Sequence, residues 1–250
     1  MADPERVDIK ASSLLLRPRY FYYNTYVIIV SMNNYKLSII IPTYNQADNI
    51  HIGLDSIPND VRIETIVVDD GSTDQTFEFV CCYIDEHPDK EIKLFKLKEN
   101  KGVSTALNKG LDEAAGEYVV FLGSDGDYFL PGKIEMALDY WLNQGVDLVY
   151  FDIIDNVRHV RKLSPKKIRH YPGAVKFMKR SFIGNTRNPV ERRRAEDVVF
   201  NEELLKKKPK ALFTHQVVKH YNYPRKGSLT WNARHGITDR IGNPIEDENS

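Results

Sequence analysis

The 250-residue sequence contains only two cysteines, the adjacent residues Cys81 and Cys82. This arrangement has neither the spacing of a zinc site nor that of a dithiol oxidoreductase, and it favours a reducing compartment. Long hydrophobic runs are also missing. The strongest candidate, Tyr26–Val30, is far shorter than the ~20 apolar residues of a membrane-spanning helix, and it fits no secretory signal. These absences predict a soluble, cytoplasmic protein.

Two common nucleotide-binding signatures are missing as well. The sequence has no G-x-G-x-x-G, which argues against a dinucleotide-binding fold. The nearest match to a P-loop, from Gly126 to Lys133, is one residue too long, and Ile134 stands where a serine or threonine is required. Any nucleotide site must therefore use other chemistry.

From Lys36 onward, short β-branched runs alternate with amphipathic ones, which indicates βαβ units and a mostly parallel sheet. The predicted fold is a single α/β domain with a Rossmann-like central sheet flanked by helices. The predicted strands are Leu37–Ile41, Ile63–Asp69, Ile92–Leu97, Tyr118–Leu122 and Asp147–Ile153. The predicted helices are Ala47–Ile57, Asp74–Glu86 (capped by Ser72 and Thr73), Ser104–Ala115, Gly132–Asn143 and Ala195–Lys207.

Ligands of open α/β sheets bind beyond the carboxyl ends of the strands, and polar residues follow four of these strands. Among these segments, Gly123–Asp127 gives the strongest indication of a binding site. Asp125 and Asp127, spaced around a glycine, can hold Mg²⁺ or Mn²⁺ together with substrate phosphates, although Asp-Gly-Asp is equally typical of a plain turn. In the same way, Asp69 or Asp70 can accept a hydrogen bond from a nucleobase imide, or can end a strand before a tight turn.

Four segments of the sequence together resemble the family 2 glycosyltransferases in order and spacing. They are Ser38–Asn45 (SIIIPTYN), Val67–Asp74 (VVDDGSTD), Asn100–Gly110 with its NKG and ALNKG elements, and Gly116–Asp127 (GEYVVFLGSDGD). The resemblance is strong over residues 36–155 and weaker over 190–230. It implies a GT-A fold and an inverting, metal-dependent transfer from a nucleotide-sugar, commonly a UDP-sugar, with Mn²⁺ or Mg²⁺ as cofactor.

The resemblance also implies the site residues. Thr43 and Tyr44 would line the base site and Asp70 would pair with uracil. The full set expected to bind the nucleotide-sugar is Pro42, Thr43, Tyr44, Asn45, Asp69, Asp70, Gly102, Ser124, Asp125 and Arg225. Asp125 and Asp127 would stand for the metal-binding D-x-D motif. Family members often have aspartate at Gly123 and lack Gly126, so which acid binds the metal directly stays open.

The resemblance places the catalytic base in the segment Ala195–Phe200 (AEDVVF), with Asp197 preferred over Glu196. A helix beginning there is expected to lower the carboxylate pKa through its dipole. Acidic residues are also common in the first turn of a helix simply because they stabilise the helix. Among weaker candidates, Arg225 or Lys226 would reach the diphosphate, His235 would complete the metal shell and Trp231 would stack on an acceptor sugar.

The charge is unevenly distributed along the chain. Residues 1–150 carry 13 Lys and Arg against 24 Asp and Glu, and residues 151–250 carry 22 against 11. The basic stretch Arg158–His170 suits anionic lipid or a lipid diphosphate as well as it suits solvent, whereas a solvated surface is favoured for Lys206–Lys210. No nucleic-acid motif accompanies them. We expect a UDP-sugar donor, a glycan or lipid-linked acceptor and peripheral contact with the inner membrane face.

Two functions stay open at this point: sugar transfer in polysaccharide biosynthesis, or nucleotide-sugar or glycan binding without catalysis, which the altered Gly123–Asp127 loop favours. A nucleotidyltransferase would need a glycine-rich basic loop after the first strand, and Pro42–Asn45 is not one.

The predicted organisation is an N-terminal extension (1–34), a nucleotide-sugar-binding half (35–155), an acceptor-binding and catalytic-base half (156–240) and a loose tail (241–250). The first 34 residues lack sustained periodicity, and Met32 directly precedes the first convincing strand. We expect a protein that begins at Met32 to keep its fold, as measured by soluble yield and circular dichroism. Loss of soluble protein would contradict this boundary.

Overall fold

The computed structural model describes residues 21–23, 26–28, 35–157, 159–165, 175–191 and 196–223. Two short strands, β1 (Phe21–Tyr23) and β2 (Tyr26–Ile28), form a separate antiparallel hairpin. The other described strands belong to one sheet of nine strands. Segments on both sides of residue 155 therefore share a single core.

The large sheet confirms the predicted α/β fold. Its strands are β3 (Leu37–Thr43), β4 (Ile63–Asp69), β5 (Ile92–Lys96), β6 (Tyr118–Phe121), β7 (Tyr128–Phe129), β8 (Leu148–Asp155), β9 (Val160–Arg161), β10 (Lys176–Lys179) and β11 (Ala211–Tyr221). Their order is β5-β4-β3-β6-β10-β8-β11-β7, with β9 paired to β8. Strands β3 to β6 are mutually parallel, and β8 and β11 share their direction because β10 is antiparallel to both β6 and β8.

The centre of the sheet forms because its strands are apolar on both faces. All seven residues of β4 are buried, as expected for a parallel strand covered by helices. The strand has the predicted bounds, Ile63–Asp69, and the other four predicted strands are observed within two residues of theirs. The short strands β7, β9 and β10 and the long strand β11 were not predicted.

The described helices are α1 (Ile50–Asp55), α2 (Thr76–Glu86), α3 (Val103–Glu113), α4 (Lys133–Asp139), α5 (Arg180–Ile183) and α6 (Glu196–Lys206), with a 3₁₀ turn at Trp141–Asn143. The expectation that Ser72 and Thr73 cap α2 is wrong. The Ser72 hydroxyl instead accepts a hydrogen bond from the backbone N–H of Asn45, at 2.9 Å. Among the described helices, none has the length and apolar character needed to cross a bilayer.

The parallel strands end along one edge of the sheet, and this carboxyl edge collects the candidate functional residues. Thr43, Asp69, Phe121, Asp155 and Tyr221 are the last residues of their strands there. Strand β10 runs the opposite way, so its first residue lies at this same edge. The fold thus brings loops from both predicted halves of the chain together.

The buried side chain of Glu64 links three parts of the fold. Its side chain is fully buried on β4, and its Oε1 accepts hydrogen bonds from Ser38 Oγ (2.5 Å) and from the backbone N–H groups of Ala115 (2.6 Å) and Gly116 (3.0 Å). Its Oε2 pairs with Lys93 Nζ at 2.6 Å. The carboxylate therefore links β4 to β3 and to the connection between α3 and β6.

We predict that Glu64→Ala destabilises the protein by about 3 kcal/mol or more, because buried donors lose their acceptor. Lys93→Ala is the matched control. It removes the partly exposed cation and leaves the three hydrogen bonds to Glu64 Oε1 in place, so it should cost less than Glu64→Ala. Urea denaturation measures the free energy of unfolding of both variants. Equal losses of this free energy would contradict the assignment of Glu64 as the residue that links the three parts.

Candidate active site

The loops after β3 and β4 are tied together by Asn45. Its backbone has a left-handed φ of 52°, a conformation that asparagine tolerates better than most residues. The Asn45 Oδ1 accepts the backbone N–H of Thr73 at 2.9 Å, while its own N–H donates to Ser72 Oγ. Asn45, expected to bind the nucleotide-sugar, thus fixes the two loops that would surround a base.

Asp70 is held rigidly by the loop that precedes α3. Its Oδ1 accepts the backbone N–H of Lys101 at 2.8 Å and its Oδ2 that of Gly102 at 2.7 Å. Gly102 has a φ of +91°, which favours glycine. Burial raises the pKa of Asp70, and the two backbone donors oppose that shift. Each oxygen keeps a second lone pair, so Asp70 is an acceptor of fixed geometry.

Two buried polar atoms to which the described residues offer no hydrogen bond lie side by side at the ends of β3 and β4. Thr43 and Asp69 are paired in register on β3 and β4, and both are buried. Within the described part of the chain, neither Thr43 Oγ1 nor Asp69 Oδ2 has a hydrogen-bond partner, although Lys96 Nζ lies 3.9 Å from the latter. Unsatisfied groups of this kind are costly, and a ligand is one way to satisfy them. Close by, Tyr44 is exposed at the rim and Pro42 is half-buried.

The carboxylates of Asp125 and Asp127 face the same point of their loop. A Cβ atom placed on Gly123 would lie 2.8 Å from Asp125 Oδ1 and 3.1 Å from Asp127 Oδ2. A side chain at this position would therefore push both carboxylates aside. Ser124, directly before Asp125, is buried, whereas Asp125 is half-buried and Asp127 is fully buried. The missing aspartate at Gly123 is thus linked to the way the other two acids pack.

Asp127 forms a buried ion pair with Lys219 of β11. The Lys219 Nζ lies 2.9 Å from Asp127 Oδ2, and the two side chains are 1% and 3% exposed. The other carboxylate oxygen, Oδ1, accepts the backbone N–H of Asn222 at 2.9 Å. Both oxygens of Asp127 therefore already have protein donors.

Asn222 locks the loop to the end of β11. Its Nδ2 donates to the backbone carbonyl of Asp125 at 2.6 Å, and its Oδ1 accepts from Asn156 Nδ2 at 2.7 Å. Gly126 has a φ of +94°, and a Cβ atom there would lie 2.6 Å from Asn222 Nδ2. The extra residue Gly126 therefore gives the loop both its turn and room for Asn222.

The predicted acid pair, Glu196 and Asp197, occupies the first turn of α6. Burial raises the pKa of Asp197, against the backbone N–H of Val198 (2.8 Å to Oδ1) and the charge of Lys176, which both lower it. Burial likewise raises the pKa of Glu196. The expectation of a lowered pKa at this helix start is therefore wrong in its net direction, because desolvation outweighs the hydrogen bond and the neighbouring cation.

Tyr221, at the end of β11, connects the acid loop with the start of α6. Burial raises its pKa to about 12, and the charges of Asp127, Asp125 and Asp197 raise it too, whereas Arg161 acts in the opposite direction. The Arg161 guanidinium lies over the Tyr221 ring, 5.7 Å from its centroid. Acids that the sequence places 70 or more residues apart therefore act on one phenol group.

Several predicted positions lie outside the described residues. They are Arg225, Lys226, Trp231, His235 and part of the basic stretch Arg158–His170. Within the described part of the chain, no group of three or more His, Cys, Asp and Glu side chains is arranged to hold a metal ion. In the other basic stretch, the Lys207 Nζ donates to the carbonyls of Phe182 (3.1 Å) and Ile183 (2.8 Å), so it supports α5.

Sequence reasoning missed three residues of this region: Lys219, Asn222 and Lys176. Lys219 follows two valines on a strand and Lys176 precedes Phe177 and Met178, so the signal available was a lysine within an apolar run. Such a lysine is ordinarily solvated at a strand edge. Nothing in the local pattern around Asn222 pointed to the acid loop.

Two curated relatives illustrate the similarity to known proteins. An uncharacterized glycosyltransferase of Haemophilus influenzae is 41% identical over 113 residues, 44% of this chain and 44% of the relative. The Escherichia coli protein named UDP-Glc:alpha-D-GlcNAc-diphosphoundecaprenol beta-1,3-glucosyltransferase WfgD is 33% identical over 144 residues, 56% of this chain and 55% of the relative. The chain thus spans about half the length of these relatives.

Solved structures of glycosyltransferases share the fold. S. aureus TarS in complex with UDP-GlcNAc has a TM-score of 0.68 and 25% identity, over 77% of this chain and 60% of the TarS chain. Mannosyltransferase PcManGT from Pyrobaculum calidifontis, in complex with GDP-Man and Mn²⁺, has a TM-score of 0.65 and 24% identity, over 81% of this chain and 61% of that one. The chain therefore has the GT-A fold.

The sequence model of the family described as Glycosyl transferase family 2 matches residues 38–219. This range holds the Asn45 and Asp70 loops, the Gly123–Asp127 loop and the start of α6, all gathered at one edge of the sheet. A match over more than half of the chain, together with the shared fold, shows that the protein belongs to the family 2 glycosyltransferases.

Proposed function

We propose that the protein transfers a sugar from a nucleotide-sugar, a UDP-hexose, to a hydroxyl of a glycan or lipid-linked acceptor, with inversion at the anomeric carbon. The observation that carries this proposal is the fixed acceptor Asp70, held by the backbone N–H groups of Lys101 and Gly102 at the carboxyl edge of the sheet, where the Gly123–Asp127 loop also lies. An acceptor suited to a nucleobase and an acid loop suited to a diphosphate are thus parts of one site. The charges of Asp125, Asp127 and Asp197, which all raise the pKa of Tyr221, support the addition of the start of α6 to this site.

A uracil base is supported by the loops after β3 and β4. Asp70 is an acceptor fixed by two backbone donors, as an imide N–H requires, and the unsatisfied Thr43 Oγ1 and Asp69 Oδ2 lie in register nearby. TarS is described in complex with UDP and with UDP-GlcNAc, and WfgD is named for a UDP-Glc donor. The name of WfgD also includes a diphosphate-linked lipid acceptor, which supports the proposed acceptor class.

The residues fit a divalent cation only in part. Asp125 is a half-buried carboxylate that packs against Gly123, and its chemistry suits a Mg²⁺ or Mn²⁺ ion that also binds substrate phosphates. Asp127 suits it less well, because its two oxygens already accept from Lys219 and Asn222. A cation held by Asp125 would neutralise charge on the departing diphosphate. We therefore assign Asp127 to the support of the loop.

Asp197 is the proposed general base. It accepts the proton of the acceptor hydroxyl while that oxygen forms its bond to the anomeric carbon. The bond from this carbon to the diphosphate oxygen breaks, and the diphosphate leaves with the electron pair. Attack opposite the leaving group inverts the anomeric carbon. The raised pKa of Asp197 makes it a stronger base than an ordinary aspartate.

A second function, binding of the nucleotide-sugar without transfer, is favoured by one observation. Gly123 replaces an expected acid, and Asp127 is occupied by Lys219, so fewer carboxylates face the donor than the resemblance implies. A protein with this function would bind UDP and the intact donor, and it would release no sugar.

We predict that Asp197→Asn binds UDP and donor like the wild type and lowers the transfer rate about 10²–10⁴-fold. In the wild type, the rate rises with pH as Asp197 ionises, and this acid limb lies above the ordinary pKa of an aspartate, because burial raises its pKa. Radiolabelled donor transfer and isothermal titration calorimetry measure both effects. Near-normal turnover by the variant would remove Asp197 from the mechanism, and a wild type without donor hydrolysis or transfer would favour the binding function.

The two acids of the loop are predicted to respond differently to amide substitution. Asp125→Asn should abolish the part of the UDP-induced thermal stabilisation that requires Mn²⁺. Asp127→Asn should lower the melting temperature in the absence of ligands, because it leaves Lys219 buried without a carboxylate. Thermal-shift assays with and without UDP and Mn²⁺ measure both.

The control for this pair is the double variant Asp127→Asn/Lys219→Met. Removal of the unpaired lysine should recover most of the melting temperature and the Mn²⁺-dependent response to UDP. If Asp127 bound the cation directly, the fold would recover in the double variant and the Mn²⁺ response would not.

A further inference from the structure

A lysine is fully buried beside the start of α6. Lys176 is the first residue of β10, which enters the sheet antiparallel between β6 and β8. Lys176 is in register with Tyr150, five residues before the end of β8, and its side chain has no exposed surface. The mechanism above does not use it.

The contacts of Lys176 lead to the candidate base. Its ammonium lies 5.6 Å from the ring centroid of Tyr150, its register partner on β8. The Tyr150 hydroxyl in turn lies 3.4 Å from Asn201 Oδ1 of α6. Asn201 is four residues after Asp197, on the same face of the helix. Tyr150 and Asn201 are also fully buried, so this contact lies between the sheet and the helix.

A lysine in this position is costly for the fold. Burial lowers the pKa of Lys176 to about 7, even though the charge of Asp197 raises it. An apolar side chain of similar length would fill the space without the loss of hydration. The amine has no exposed surface, and its described contact with Tyr150 leads through Asn201 to the first turns of α6, where Asp197 lies.

We propose that Lys176 is a positioning residue for the base, whose ammonium lies beneath the start of α6 and keeps the Asp197 carboxylate ionised in its buried setting. The proposal rests on the proposed function, in which Asp197 accepts the proton. It makes the base a coupled pair drawn from two parts of the chain, the strand β10 and the helix α6.

Among the described residues, the other side chains that act on Asp197 come from two elements. Glu196 of the same helical turn interacts with it as a like charge, and Tyr221 at the end of β11 interacts with it electrostatically. The backbone N–H of Val198 lowers its pKa, as Lys176 does. Among these groups, Lys176 is the one whose removal deletes a positive charge and leaves the helix unchanged.

The test is the pH dependence of sugar transfer in Lys176→Met and Lys176→Gln, with Lys176→Arg as the variant that keeps the charge. We expect the acid limb to move to higher pH by one unit or more in the neutral variants, so that the rate on that limb falls at least tenfold. At higher pH the rate should recover, and UDP affinity measured by calorimetry should not change. Lys176→Arg should return the limb toward the wild-type position.

Lys179→Met is the matched control, because Lys179 lies on the same strand and forms only a loose ion pair, 3.9 Å from Glu117. It should keep the wild-type pH profile. A wild-type profile in both neutral Lys176 variants would overturn the proposal.

A thermal-denaturation cycle gives a readout independent of activity. We expect the losses in melting temperature from Lys176→Met and Asp197→Asn to be smaller in the double variant than their sum, because each single change leaves a buried group without its partner. Additive losses would overturn the pairing. If Asp197→Asn itself transferred sugar normally, the proposed function would fail whatever the Lys176 variants did.

Discussion

Carboxylates at the edge of a buried sheet lose hydration and repel one another, and the candidate site is organised by how each of them is compensated. Asp70 accepts two backbone N–H groups, Asp127 pairs with a buried ammonium, and Asp197 has a helix N–H and the charge of Lys176. For Asp70 and Asp197, burial still raises the pKa. The site thus keeps carboxylates close together and poorly hydrated, a condition that strengthens their action on a bound cation or proton.

The sequence predicted the central strands well, because β-branched runs that are apolar on both faces have few other interpretations. It also predicted that polar residues would gather at the carboxyl edge, since parallel strands end there. The strands β7, β9 and β10 were missed because two to four residues carry no measurable period. Strand β11 was missed because bulges between Phe213 and Lys219, with a left-handed His215, interrupt its alternation.

Within the site, sequence patterns identified acids and could not identify their partners. Asp125, Asp127 and Asp197 stand in recognisable segments, whereas Lys219, Asn222 and Lys176 reach them only through the order of strands in the sheet. That order depends on contacts between residues far apart in the chain, which no local motif records. The roles assigned to all of these residues in donor binding and catalysis stay predictions.

The insertion of β10 between β6 and β8 also constrains how the protein is made. Until residue 179 has left the ribosome, β6 has an unpaired edge and strands β3 to β6 are an open partial sheet. Unpaired edges of this kind promote association with other chains, and long-range pairing is slow to form. The nascent chain must therefore complete β10 before the edge of β6 is protected. A chain that is truncated earlier is more prone to associate with other chains than the position of the four motifs, which all lie before residue 128, implies.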